Sequence, residues 1–178
     1  MIAQAARDAV DDLANSRGRS IRHLLLGLGL TAGAVLASAV IARASAPTPD
    51  DPPTPPPGLS PSKAAFGMIW PPLFLALTLS GLRVWNAPSS PARTQALTLW
   101  GVVQALNAVW MALGPRRLGG QLTAAVTSLG TAAAYAWRAR QVDPPAASMV
   151  TPYVGWIGFA SVLSGELWRR DHASPTLH

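Results

Sequence analysis

Trp100, Gln104, Asn107 and Met111 are spaced i, i+4, i+7 and i+11, which places an indole, two amides and a thioether on one helical face. Trp110 borders that face. Amides do not titrate, but each donates and accepts hydrogen bonds, and an amide buried in apolar surroundings costs about 2–7 kcal/mol unless it is bonded. Two uses fit such a face. The amides could bond a neighbouring helix, or they could form the polar point of a ligand cavity, and spacing alone does not separate the two. Met111 could be a soft ligand, though gap filling is the simpler role for a thioether.

Two further stripes accompany this face. Phe66, Trp70 and Phe74 recur every four residues, and Tyr153, Trp156, Phe159 and Ala160 lie close together in a later segment. Each could be packing. Together with the amide face they could line an aromatic cavity suited to a flat, apolar ligand with a few polar groups. The chain has seven tryptophans. Trp85, Trp137 and Trp168 stand beside arginines and read as anchors at a membrane interface, whereas Trp70, Trp100, Trp110 and Trp156 lie in apolar segments and need partners for their N–H groups.

Conventional catalytic chemistry is missing from the pattern. His23, His172 and His178 fall outside the apolar segments, so none is placed to ligate a haem iron there. No carboxylate lies within those segments, and Glu166 beside Trp168 and Arg169 reads as an ion pair near a span end. Cysteine is absent, and no Ser-His-Asp set, phosphate loop or paired acid occurs. No catalytic residue, metal ligand or obligatory cofactor is assigned.

The elements that hold these residues are set by where charge is excluded. Of 178 residues 49% are hydrophobic and 12% charged, against about 25% charged in soluble domains. Five windows, 24–42, 64–82, 94–115, 118–137 and 144–165, contain no Asp, Glu, Lys, Arg or His and are 19 to 22 residues long. About 20 helical residues cross a hydrocarbon core of about 30 Å, and helices satisfy their own backbone bonds there. The expected fold is an all-α membrane protein, a bundle of five transmembrane helices with spans near 22–42, 64–85, 94–114, 118–138 and 146–168. A polar segment, 1–20, precedes the bundle at 21–171, and a tail, 172–178, follows it. Ile2, Ala6, Val10 and Leu13 share one face, so 1–20 is either a short surface helix or disordered.

The net charge of +6 does not indicate nucleic acid, because the arginines flank the spans, from Arg22 and Arg43 to Arg83, Arg93, Arg138 and Arg170, where lipid headgroups lie. Their distribution leans toward a cytoplasmic N-terminus. Span 1 could also be a secretory signal ending at Ala44-Ser45-Ala46. Its apolar run is long for that purpose, and acidic residues precede it, so it is read as retained. Residues 47–62 carry eight prolines and are expected to be an extended linker. Gly29, Gly33 and Ala37 in span 1, and Gly120, Ala124, Ser128, Ala132 and Ala136 in span 4, form small-residue stripes that allow close helix packing. Pro71 and Pro72 should kink span 2.

Three of these segments carry a family resemblance. Ala65-Phe66-Gly67-Met68-Ile69-Trp70 with Phe74, Leu106-Asn107-Ala108-Val109-Trp110, and Pro152-Tyr153-Val154-Gly155-Trp156 with Phe159, Ala160, Trp168 and Arg169 stand in order on three spans. The chain resembles the tryptophan-rich sensory protein / translocator protein family over about residues 21–171. The resemblance implies a five-helix bundle, often a homodimer, in a membrane such as that of a bacterial cell. It also implies a cavity that takes porphyrins and related tetrapyrroles or sterol-like lipids. By motif position the ligand-binding residues would be Trp70, Phe74, Gln104, Asn107, Trp110, Trp156 and Ala160. The family has also been proposed to break down porphyrins in light, for which Trp70 and Trp156 would be the candidates. Alternatively the chain is a structural or partner-binding membrane protein without a small ligand. The sequence departs from the family in the loop between spans 1 and 2, which lacks tryptophan, and at Met68, Phe74 and Ser164, where proline, tyrosine and asparagine are usual.

Overall fold

The structure, a computed structural model, describes residues 1–44, 63–113 and 118–173. Six helices and no strands occur among them: α1 Ile2–Ala14, α2 Ile21–Ala44, α3 Lys63–Asn86, α4 Pro91–Leu113, α5 Leu118–Val142 and α6 Pro144–Ala173. The linker expected at 47–62 and the arginines at 116 and 117 lie outside the described residues.

The five long helices fall on the five charge-free windows. The shortest, α4, has 23 residues, which is about 35 Å at 1.5 Å per residue. They close into a ring in which α2 packs on α3, α3 on α6, α6 on α5, α5 on α4, and α4 back on α2. Stretches both long and apolar enough to cross a membrane are Met68–Asn86 and Pro144–Arg169, with a shorter apolar run at Ile21–Ala37. The other two helices are less apolar because α4 carries Gln95, Gln104 and Asn107 and α5 is built largely of Ala, Gly and Thr.

Ring closure relies on small residues, though not on both expected stripes. In α5, Ala124, Ser128 and Ala132 of the stripe are buried and Ala136 is half-buried, whereas Gly120 at its start is exposed. In α2 the stripe fails: Gly29, Gly33 and Ala37 are exposed, and a Cβ at either glycine would meet nothing within 4 Å. The close approach is made two residues before Gly29, on another face of the helix, where a Cβ at Gly27 would come within 2.3 Å of the Trp85 ring. Gly81 of α3 plays the same part for Trp100, whose Nε1 donates to the Leu77 carbonyl at 2.9 Å.

Polar groups tie the ring together. Ser80 Oγ donates to the Ala146 carbonyl at 2.8 Å and lies 2.6 Å from the Tyr135 hydroxyl, so α3, α5 and α6 meet at one buried point. One turn along α3, Arg83 was expected to be an interface cation. It is buried instead. Its Nε and Nη2 donate to Asp143 Oδ2 and Oδ1 at 2.7 and 3.0 Å, with side-chain exposures of 10% and 7% for the two residues. Its Nη1 donates to the carbonyls of Asp12 and Leu13, which end α1. Asn86 Nδ2 donates to the Ala14 carbonyl at 2.8 Å. The polar segment is therefore a helix held by its C-terminal carbonyls, where a cation also complements the helix dipole. Trp85 is likewise no bare anchor: its Nε1 donates to the His23 carbonyl at 3.1 Å, and Arg93 lies 5.2 Å from its ring centroid. Pro71 and Pro72 lie within α3 with their side chains exposed.

Removing one partner of a buried bidentate pair strands the other charge, at a cost of about 3–5 kcal/mol. Arg83→Ala is expected to lower the unfolding midpoint in detergent sharply, while Arg17→Ala, which breaks an exposed pair with Asp12 (side-chain exposures 66% and 69%), leaves it within error. Equal midpoints for the two variants would contradict the clasp.

Candidate functional site

Facing residues of α3, α4, α5 and α6 enclose a small cavity. Trp70 comes from α3, Asn107 and Trp110 from α4, Ala125 and Ser128 from α5, and Trp156, Ile157 and Ala160 from α6. Each is placed by helical spacing. Asn107 and Trp110 are three apart, as are Ala125 and Ser128, and Trp156 and Ala160 are four apart, so each pair projects from one face of its helix.

The walls are aromatic. The Trp70 and Trp110 rings lie 6.3 Å apart between centroids, tilted by 37°. Phe74 packs on Trp70 at 4.9 Å, and Phe159 on Trp156 at 5.5 Å. The polar part consists of an amide and a hydroxyl. Asn107 is held by the Tyr153 hydroxyl, which donates to its Oδ1. The other end of the amide, Nδ2, is buried without a protein hydrogen-bond partner, as are Trp110 Nε1 and Ser128 Oγ. Three buried polar atoms on two facing helices thus lack protein partners, whereas buried polar groups are normally bonded. Space beside them is limited. About 20 Å³ is open to the centre of a water-sized molecule, which suffices for one water. A larger ligand would have to part the helices.

Trp70, Asn107, Trp110, Trp156 and Ala160 of the expected set therefore come together. Gln104 and Phe74 do not form part of the wall. Gln104 is buried one turn earlier on α4, and Phe74 stands behind Trp70 as packing. Phe159 is 47% exposed and faces outward. Tyr153 is fully buried behind Asn107 rather than beside the space. The side chains of Phe66 and Met111 lie outside those described. Sequence reasoning missed Ser128 as a cavity residue. It is the polar member of the small-residue stripe on α5, and that break in an Ala/Gly series is the signal that could have marked it.

No group of three or more His, Cys, Asp or Glu that could hold a metal ion occurs among the described residues. The arrangement has no acid or base to move a proton. What it can do is stack aromatic faces and offer hydrogen bonds from an amide, an indole and a hydroxyl.

The model of the TspO/MBR family matches residues 24–169, a stretch that contains all these walls. The chain belongs to the TspO/MBR family. Among its relatives, the sheep (Ovis aries) translocator protein is 32% identical over 113 residues, 61% of this chain and 67% of that one. The bovine (Bos taurus) translocator protein matches to the same extent. The human (Homo sapiens) translocator protein is 29% identical over 120 residues, 65% of this chain and 71% of that one. Membership makes this a membrane protein, in keeping with its apolar helices.

Ser128→Ala removes a hydroxyl with no protein partner, so no hydrogen bond within the protein is lost. The unfolding midpoint of the free protein should stay level or rise. A drop of several degrees would mean that the hydroxyl is structurally engaged.

Proposed function

We propose that α2 to α6 all cross the bilayer and that the protein binds a tetrapyrrole, a porphyrin in the first instance, as a sensor or transporter. Crossing by all five is supported by their outward faces. Leu28 on α2, Leu75 on α3, Val102 on α4, Val126 on α5 and Val162 on α6 are all exposed. An apolar belt present on every helix, including the two of lower hydropathy, suits lipid and not water.

The observation that carries the ligand reading is the convergence of three indoles with the unbonded ends of Asn107 and Ser128 on one enclosed point. A flat macrocycle can stack between aromatic rings while its polar edge takes up those hydrogen bonds. Sterol-like lipids share the flat apolar body and compete for the same place. Because the free cavity holds about one water, binding goes with separation of the helices around it, and the ligand's own contacts replace those it breaks.

A second reading has a specific observation in its favour. The Tyr153–Asn107 bond joins α6 to α4, so the amide also locks helices together, as in a structural or partner-binding membrane protein.

Titration of the purified protein with protoporphyrin, followed by tryptophan quenching, separates the two. Each stacked ring is worth about 1 kcal/mol, so the Trp70→Leu, Trp156→Leu double variant, which removes both rings, should bind at least several-fold more weakly while remaining folded. Unchanged affinity in that variant would overturn the proposed site. Asn107→Leu that stays folded and retains full affinity would assign the amide to packing alone.

A further inference from the structure

On the outside of the bundle, α5 and α6 leave a groove of about 490 Å³, away from the tryptophan cavity. This is within the range of about 300–1,000 Å³ typical of small-molecule sites. Its floor is made of small or short side chains: Ala133 and Ala136 from α5, Ala147 and Val154 from α6. Trp137 and Arg140 form its rim at the end next to the α5–α6 turn. The rim also falls where charge resumes, since the charge-free windows on either side stop at residue 137 and restart at 144. In the bilayer reading proposed above, on which this inference rests, that is headgroup depth.

The electrostatics of the turn are one-sided. Its acid, Asp143, is buried with both oxygens committed to Arg83. Arg138 donates to the Gln141 side chain at 3.3 Å. Arg140 is exposed and forms no ion pair or side-chain hydrogen bond with any described residue. The Ser148 and Thr151 hydroxyls bordering the groove are turned back onto their own helix, donating to the Pro144 and Ala147 carbonyls at 3.3 and 3.2 Å. The groove thus presents an apolar trough, an indole 64% exposed at its lip, and an unpaired cation at one end.

We infer that this groove is a binding site for one anionic phospholipid, with an acyl chain in the Ala/Val trough and its phosphate on Arg140. The shape suits an unbranched chain, because no large side chain crosses the trough. The charge suits a phosphodiester, because a guanidinium offers paired donors to it. Trp137 sits at the level where indoles bridge apolar and wet surroundings. A phospholipid with a net negative headgroup is favoured over a zwitterionic one, because no free acid at the turn can meet a choline or ethanolamine cation.

The test uses the full chain, purified in detergent and delipidated, with lipid retention read by native mass spectrometry after adding dioleoyl phosphatidylglycerol or dioleoyl phosphatidylcholine. The wild type should retain one phosphatidylglycerol per chain in preference to phosphatidylcholine. Arg140→Gln should weaken that retention about fivefold and erase the preference, since a cation at the surface is worth about 1 kcal/mol toward anionic lipid. Ser148→Leu, at an exposed position, should block the trough, and inorganic phosphate should not compete. Equal retention by all three proteins would overturn the proposal, as would full competition by phosphate alone. A shift from dimer to monomer in Ser148→Leu with lipid retention unchanged would overturn it in favour of contact between two copies. Porphyrin titration of both variants should match the wild type, so failure of the groove and failure of the tryptophan cavity read out separately. A wild-type chain that stays monodisperse without detergent would refute the bilayer reading itself.

Discussion

Arg83 is a cation that cannot shed its charge, placed inside a bundle of otherwise apolar helices. Much of the surrounding structure follows from keeping it neutralised. Asp143 must sit at the start of α6, opposite the last turns of α3, and must present both oxygens. The turn between α5 and α6 is thereby fixed against α3, and Ser80, one turn away, joins the same three helices through Tyr135 and the Ala146 carbonyl. The remaining guanidinium nitrogen, Nη1, is satisfied by the carbonyls of Asp12 and Leu13 near the end of α1. One ionic contact therefore sets the register of α3 against α6 and explains why a polar N-terminal segment is folded onto the bundle.

The same requirement, that polar groups away from water be bonded, is met at some points of the bundle and not at others. Trp100 finds the Leu77 carbonyl, and Tyr153 finds Asn107. Asn107 Nδ2, Trp110 Nε1 and Ser128 Oγ do not find protein partners. Buried atoms without a protein partner also occur near the clasp, at Asn86 Oδ1 and His23 Nε2, but among the described residues only around Asn107 do three of them come together with an enclosed space. The close helix packing that Ser128 and its alanine neighbours permit brings those atoms within one enclosure.

The helices were legible in the sequence because exclusion of charge is a blunt, long-range property that no single residue decides. The pairing of Asn107 with Trp110, and of Trp156 with Ala160, was legible because helical spacing alone puts them on common faces. Three features were not. Arg83 stands beside the end of an apolar window just as Arg138 does, and only the position of Asp143, sixty residues on, separates a buried ion pair from a headgroup contact. Gly29 and Gly33 have the spacing of a packing stripe, yet the ring closes through Gly27, because the bulk of Trp85 decides which glycine must be vacant. Gln104 has the chemistry of a cavity residue, but the cavity opens one turn further along α4, where Ser128 of the facing helix comes level with Asn107.

Pro71 and Pro72 bring no amide hydrogens to α3. The rungs they would have supplied to the preceding turn are missing immediately beside Trp70, on a helix that is otherwise continuous. Flexing an ordinary helix there would mean lengthening two hydrogen bonds; here those bonds were never formed. The stiffness of α3 is therefore uneven, with its most compliant joint adjoining the indole that walls the cavity. The outer turns of the helix can tilt about that joint while the inner turns, anchored through Ser80 and Arg83, stay in place.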